Sequence, residues 1–330
     1  MNPLLLIAIL TSFFCTFLAM PFWIRKAKQI GLVWEDMHKK SQSKNIAGSG
    51  GVVLVLGFTL GVLLYIAINT FYFNSTENLI EIFALLSSLF LVSGIALIDD
   101  LFGWQHGGLS KRSRLILVVF AAIPLMVINA GESTMMGIEF GILYPLLLIP
   151  IGILGATTTF NFLAGYNGLE AGQGIIILSA LSIVTYLTGN AWLSVIGMCM
   201  VASLLAFYIF NHYPAKVFPG DVLTYSVGAL IAIMAILGNI EKIAIFFFIP
   251  YFIEVGLKVR GKLEKQSFGK LNNNGGIELP YKKIYGLEHL AIYVFKKINP
   301  NKKVQEKEVV WLIHGFQIVI IILGFLLFIK

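Results

Sequence analysis

Charged residues are what this sequence has least of. Only 12% of its 330 positions are Asp, Glu, Lys or Arg, about half the share found in soluble domains. Against that stands a hydrophobic content of 58%. A chain of this length cannot bury so much apolar surface in one water-bounded core, so a soluble globule is excluded and the solvent is lipid. Cysteine is nearly absent too. Cys15 and Cys199 both lie within apolar runs, which leaves no disulfide framework and no cysteine metal spacing, and both read as small core hydrophobes. Basic residues are missing ahead of the first apolar run and follow it at Arg25, Lys26 and Lys28. That order is the reverse of a cleavable leader and predicts a retained first helix with its N-terminus outside.

What the sequence does have is long apolar runs. Ten are long enough to span a bilayer, at about 2–24, 50–70, 79–98, 113–130, 141–160, 173–188, 191–211, 222–238, 240–260 and 309–329. The predicted fold is therefore an all-α polytopic membrane protein of about ten transmembrane helices, built as one catalytic domain over 1–330. The lysines and arginines fall in the loops after odd-numbered spans, and Lys242 and Lys330 are the only two of the 24 on the other side. The positive-inside rule makes that basic face cytoplasmic. Charge placed beside spans orients a protein and attracts anionic lipid or substrate, so the net charge of +7 does not indicate nucleic acid. The largest soluble piece is a cytoplasmic insertion at 261–308. Asn274-Gly275 predicts a hairpin there. Leu287, Leu290, Ala291, Val294 and Phe295, flanked by lysines, predict an amphipathic helix on the membrane surface.

Four polar clusters sit on the basic face, each after an odd-numbered span. Glu35-Asp36-Met37-His38-Lys39 precedes a glycine-rich entry to the second span. Asp99-Asp100 follows an apolar run directly. Adjacent carboxylates at a membrane boundary repel one another and call for a nearby cation, either a divalent metal or Lys111. Residues 161–173, NFLAGYNGLEAGQ, hold two asparagines and three glycines between apolar spans. Amide oxygens can coordinate Mg²⁺ or read a base edge. Val217-Phe218-Pro219-Gly220-Asp221 opens the eighth span. There Asp221 is either a helix cap or a hard ligand, and Phe218 offers a ring for stacking. Asp and Asn oxygens suit Mg²⁺ rather than Zn²⁺, and Mg²⁺ held by few protein groups usually also binds substrate phosphates. Together the clusters predict phosphoryl chemistry on an anionic substrate at the cytoplasmic surface.

At this point the motifs resemble those of the polyprenyl-phosphate N-acetylhexosamine-1-phosphate transferases. Residues 161–173 are similar to the NxLAGxNGLEAGQ segment of the UDP-GlcNAc:dolichyl-phosphate branch, and residues 210–221, FNHYPAKVFPGD, to its NWYPxxVFxGD segment. Asp99-Asp100 with Lys111 resembles the family's DD…K cluster, and residues 35–39 its first cytoplasmic loop. The resemblance implies transfer of GlcNAc-1-phosphate from UDP-GlcNAc to a dolichyl or polyprenyl phosphate, with release of UMP, as the first step of lipid-linked oligosaccharide assembly for protein N-glycosylation. It implies that Asn161 and Asp221 bind Mg²⁺ (or Mn²⁺) with the pyrophosphate. Asp99 and Asp100 would position or deprotonate the lipid phosphate, and Lys111 would hold phosphate charge. Asn167 and Phe218 would recognise uracil, and Glu35 would contact substrate. The family's His- and Arg-rich cluster in the last cytoplasmic loop has no counterpart here, where Lys265 and Arg260 stand in by charge alone.

Partners that follow are the nucleotide sugar, the lipid phosphate, the bilayer and, as an option, a second copy of the chain. The expected location is a prokaryotic cell membrane, with an archaeal one favoured and the endoplasmic reticulum as the alternative. A different UDP-N-acetylhexosamine is the nearest rival substrate. A transporter is disfavoured because its ionisable groups would lie near the midplane rather than at span ends. A CDP-alcohol phosphotransferase would need a cluster of Asp around one helix, which is missing.

Overall fold

The structure, a computed structural model, describes residues 3–37, 45–272 and 274–329, without the side chains of Gln105 and His106. His38, Lys39, Lys40 and Lys44 of the first basic loop lie outside the described residues. The fold is an all-α bundle. Its long helices are α1 (Leu5–Ile30), α2 (Gly51–Ala67, continued by a π turn, Ile68–Tyr72) and α3 (Leu79–His106). Shorter α4 (Lys111–Phe120), α5 (Ile123–Val127) and α6 (Ile149–Phe160) follow. Then come α7 (Leu169–Leu187), α8 (Ala191–Asn211), α9 (Gly220–Leu237), α10 (Glu241–Phe247), α11 (Ile249–Arg260), α12 (Leu287–Ile298) and α13 (Glu306–Phe328).

Seven of these are long and apolar enough to cross a membrane. Of the other three predicted spans, two divide in the middle and one is a continuous helix too short to count, Tyr144–Phe160. The 113–130 run divides into α4 and α5 ahead of Pro124, the 141–160 run opens with a π turn containing Pro145, and the 240–260 run divides ahead of Pro250 into α10 and α11. Proline lacks the amide hydrogen that would continue each ladder and clashes with the preceding turn, which a count of apolar residues does not register. Two boundaries also move. Helix α1 continues to Ile30, so Arg25, Lys26 and Lys28 lie on it rather than in a loop. Helix α3 runs on to His106, so Asp99 and Asp100 lie inside a helix instead of just past one.

Helix α9 is the axis of the bundle. Val222 through Leu237 are buried, and it packs on α2, α3, α6, α7, α8 and α10. Small residues set its distances. A Cβ on Gly228 would lie 2.7 Å from the Ala156 carbonyl and 2.8 Å from the Thr157 Cα, so α6 and α9 touch backbone to backbone. One turn beyond, that approach brings Asn161 beside Thr224. Ser93 of α3 and Ser226 of α9 share a buried hydrogen bond of 2.7 Å, which fixes the sliding position of Asp99 and Asp100 relative to Asp221. At the far end, Glu132 N donates to Asn239 Oδ1, Asn190 Nδ2 to the Gly238 carbonyl, and Tyr144 bonds Glu241. The loops assigned to the opposite face therefore meet one another there.

Three antiparallel two-stranded ladders decorate the bundle: β1 (Val33–Trp34) with β2 (Ile46–Ala47), β3 (Thr134–Met135) with β4 (Ile138–Glu139), and β5 (Lys270–Leu271) with β6 (Ile277–Glu278). The last is the hairpin expected at Asn274-Gly275, with Gly275 at φ 77°. Helix α12 is amphipathic as expected, and part of its apolar face is turned to the protein. Leu287, Ala291 and Ile292 are buried against the protein together with Glu288 and His289, and α12 packs on α11 and α13. Burial pushes the Glu288 carboxyl well above its usual range and the His289 imidazole below its own.

Candidate active site

A cleft of about 560 Å³ opens at one end of the bundle, where α3, α6 and α8 finish and α7 and α9 begin. Three of its carboxylates converge from two helices. Asp99 is buried, with Oδ1 accepting from Leu109 N at 2.5 Å and Oδ2 from Arg114 Nη1 at 2.7 Å. The same guanidinium nitrogen lies 3.3 Å from Asp221 Oδ2. Asp100 Oδ1 accepts from Asp221 N at 2.8 Å, at the positive end of α9. Its Oδ2 is buried with no hydrogen-bond partner. Gly220 makes this approach possible. It sits at φ 67°, and a Cβ there would collide with Asp100 Oδ2.

On the α6 side, Asn161 Oδ1 accepts from Thr224 Oγ1 at 2.9 Å. The loop from 161 to 168 then turns through Gly165 at φ 116° and Gly168 at φ 81°. Side-chain oxygens meet its amides: Gly165 N donates to Glu170 Oε1 at 2.7 Å, Asn167 N to Glu306 Oε1 at 2.6 Å, and Gly168 N to Asn211 Oδ1 at 3.1 Å. Tyr166 is buried, its hydroxyl accepts from Gly269 N at 3.0 Å, and desolvation raises the phenol above its ordinary range, so it stays neutral. Phe218 lines the same cleft. Its segment is held by Phe218 N donating to the Ala47 carbonyl at 2.7 Å and by Gly50 N and Gly51 N donating to the Phe218 and Pro219 carbonyls, each at 2.9 Å.

Of the residues singled out in the sequence, Glu35, Asp99, Asp100, Asn161, Asn167, Phe218 and Asp221 all line this cleft. Lys111 and Lys265 do not. Lys111 is exposed at the first position of α4, and Lys265 Nζ lies over the Tyr281 ring, 5.4 Å from its centroid. The cation at the carboxylates is Arg114, three residues beyond Lys111 on the same helix face. Sequence reasoning missed it, although helical spacing would have offered it as readily. Asp36, Glu170 and Asn211 stood within the quoted motifs without being given a role, and Thr224 was missed. Glu306 gave no local signal, because it lies 139 residues from the amide it holds.

The charge balance limits what the cleft can bind. Six carboxylates line it, from Glu35, Asp36, Asp99, Asp100, Glu170 and Asp221, and Arg114 is the one lysine or arginine among the described residues that does. Such a wall repels phosphate unless more positive charge arrives with it. Among the described residues there is no group of three His, Cys, Asp or Glu able to enclose a metal. That argues against a structural Zn²⁺ but fits Mg²⁺, which takes one or two carboxylates and leaves other positions to water and substrate phosphates. The unpartnered Asp100 Oδ2, with Asp221 and Asn161 beside it, supplies hard oxygen donors of the right kind.

Comparison with known proteins places the chain. Residues 82–239 match glycosyl transferase family 4, the stretch that holds Asp99, Asp100, Arg114, Asn161, Asn167, Glu170 and Asp221. A putative UDP-N-acetylglucosamine–dolichyl-phosphate N-acetylglucosaminephosphotransferase of Saccharolobus solfataricus is 33% identical over 314 residues, covering 93% of this chain and 92% of that protein. The Dictyostelium discoideum protein of the same name, without the qualifier, is 29% identical over 264 residues, 67% of this chain and 63% of that protein. A phospho-N-acetylmuramoyl-pentapeptide-transferase of Streptococcus thermophilus is 28% identical over 264 residues, 76% of each chain. The chain belongs to glycosyl transferase family 4, among the membrane phosphotransferases that its motifs resemble.

Proposed function

We propose that this protein transfers GlcNAc-1-phosphate from UDP-GlcNAc to a dolichyl or polyprenyl phosphate, releasing UMP, as the first step in building a lipid-linked oligosaccharide for protein N-glycosylation. The observation that carries the reading is the cleft itself: Asp99, Asp100, Asp221 and Asn161 gathered around Arg114 at the helix ends. The names of relatives that align along most of the chain support the substrates. In this reading a lipid phosphate oxygen attacks the sugar-bearing phosphorus of UDP-GlcNAc. The bond from that phosphorus to the bridging oxygen breaks, and UMP carries the oxygen away. Asp99 and Asp100 position the lipid phosphate or take its proton, and Arg114 offsets phosphate charge. Mg²⁺, held by Asp221 and Asn161 with Asp100 adjacent, would supply further charge neutralisation at the pyrophosphate. Asn167 and Phe218 receive the uracil, and Glu35 lies at the rim for the substrate. Catalysis of this kind is mostly positioning and electrostatics.

The active face is cytoplasmic in this reading, because the loops beside the cleft carry nearly all the lysine and arginine. The membrane is the cell membrane of a prokaryote, and a homodimer is compatible with the fold. A second sugar is the alternative: the match to a pentapeptide-transferase over 76% of the chain shows that this scaffold is similar to one named for a different sugar phosphate. The test is UMP release by the purified protein in lipid nanodiscs with dolichyl phosphate, Mg²⁺ and a panel of UDP-N-acetylhexosamines. UDP-GlcNAc should be turned over, and Asp221→Ala and Asn161→Ala should abolish release while the protein stays folded. No release with any member of the panel refutes the reading.

A further inference from the structure

Asn167 is held from two sides by acids that come from distant parts of the chain. Its backbone N–H donates to Glu306 Oε1 at 2.6 Å, from the first turn of α13. Its side-chain Nδ2 donates to Asp36 Oδ2 at 3.0 Å. Asp36 is 3% exposed and Asn167 5%, and both line the cleft. Asp36 in turn follows β1, whose pairing with β2 ties it through the Ala47–Val217 bridge to the segment bearing Phe218. One wall thus carries the acid, the amide and the ring.

The identity of the acid matters. The end of the Asn167 amide that meets Asp36 is its NH₂, and a carboxylate there, which only accepts hydrogen bonds, keeps it so. The opposite end, Oδ1, makes no hydrogen bond to a described residue, and it is not among the buried unpartnered atoms. Asn167 therefore offers the cleft an acceptor.

We infer that Asp36 is a specificity-determining positioning residue: by fixing the Asn167 amide with its oxygen toward the cleft, it selects a base that presents an N–H donor. This rests on the proposed placement of uracil against Asn167. Uracil carries N3–H between two carbonyls, which an acceptor can receive. Cytosine presents a lone pair at N3, which would face Oδ1 acceptor to acceptor and leave both unpaired in a nearly dry site. The recognised class is then the uridine nucleotides, and cytidine nucleotides are rejected by polarity rather than by size. Glu306 contributes by holding the Asn167 backbone in place.

The experiment measures inhibition of UMP release by UMP, CMP and 3-methyl-UMP, using the full chain in nanodiscs. In the wild type, UMP should inhibit at a concentration about tenfold or more below either analogue, the discrimination expected from one unpaired buried group. Asp36→Asn lets the amide at 167 sit either way, because the new side chain can donate or accept. Its UMP-to-CMP preference should shrink about fivefold or more, with KM for UDP-GlcNAc raised and kcat within about threefold of wild type. Asp36→Glu, which keeps an acceptor-only partner, should recover part of the preference. Equal inhibition by UMP and 3-methyl-UMP in the wild type overturns the assignment without any variant. So does an Asp36→Asn enzyme that loses kcat yet keeps the wild-type preference. If the wild type neither releases UMP nor is inhibited by it, the transferase reading falls as well. UMP release with a flat base preference removes only the role of Asp36.

Discussion

Arg114 should matter far more than Lys111. Its guanidinium nitrogen lies 2.7 Å from Asp99 Oδ2 and 3.3 Å from Asp221 Oδ2, and its side chain is 27% exposed. Unit charges about 4 Å apart at an effective dielectric of about 20 attract by about 4 kcal/mol, before desolvation takes its share. Removing the cation also exposes Asp99 and Asp221 to each other and to Asp100. Truncating one partner of such a hydrogen-bonded charge pair costs about 2–5 kcal/mol. Arg114→Gln should therefore lower the rate of UMP release about 10²- to 10³-fold, the usual loss when one preorganised donor goes. Arg114→Lys should recover only part of it, since one ammonium cannot reach two carboxylates with the fork of a guanidinium. Lys111→Gln, at an exposed position off the cleft, should stay within about threefold of wild type. Mg²⁺ should also raise the melting temperature of Arg114→Gln more than that of the wild type, because Asp221 Oδ2 is no longer shared with an internal cation. Release assays over a Mg²⁺ titration, with thermal melts of each variant in detergent, decide the matter. Arg114→Gln keeping more than about a third of the wild-type rate, or Lys111→Gln being the more damaged variant, would refute the reasoning.

Two further outcomes follow from the packing and the topology. Gly228→Val would drive a branched side chain against the Ala156 carbonyl and Thr157 Cα. It should part α6 from α9, lower the melting temperature by several degrees and remove activity through the Asn161–Thr224 contact, whereas Gly155→Ala, where a Cβ meets nothing within 4 Å, should be silent in both assays. A single cysteine at Lys283, in a background lacking Cys15 and Cys199, should react with a membrane-impermeant reagent only from the cytoplasmic side, and one at Gly189 only from outside; the reverse pattern would invert the proposed orientation.

Much of the site could be read from the sequence because its parts violate the local rule around them. Asp99-Asp100 inside an apolar run and two asparagines among glycines between apolar spans are costly in a membrane protein, so their presence asks for a function. The same logic failed for Lys111 and Arg114. Both stand in one basic stretch on the same face of α4, and a sequence does not say which of the two lies near enough to reach the carboxylates. It failed for Lys265 because a charge count along a loop does not say where a long side chain lies. The broken spans were hidden for a related reason. Hydropathy averages over about 19 residues, while Pro124 and Pro250 act at single positions.

Glu170 and Glu306 show a second kind of acid, and it explains why the segment from 161 to 173 is polar at all. The loop ahead of α7 turns through two glycines with positive φ, so its amides at 165, 167 and 168 have no helical partner. An unpaired buried N–H costs about 1–3 kcal/mol. Glu170, Glu306 and Asn211 each place an oxygen on one of these amides. A carboxylate buried in this way is expensive by itself, but a charged acceptor makes a shorter and stronger bond than a neutral one. It also holds the loop to a single geometry. The acids at Asp99, Asp100 and Asp221 face the opposite demand. They are kept only partly satisfied, with one guanidinium among three carboxylates, and the charge they lack is the charge a phosphate-bound cation would bring. The two sets lie on one cleft. The loop-holding acids fix where Asn167 stands, Thr224 holds Asn161, and the three aspartates supply the attraction for what binds between them.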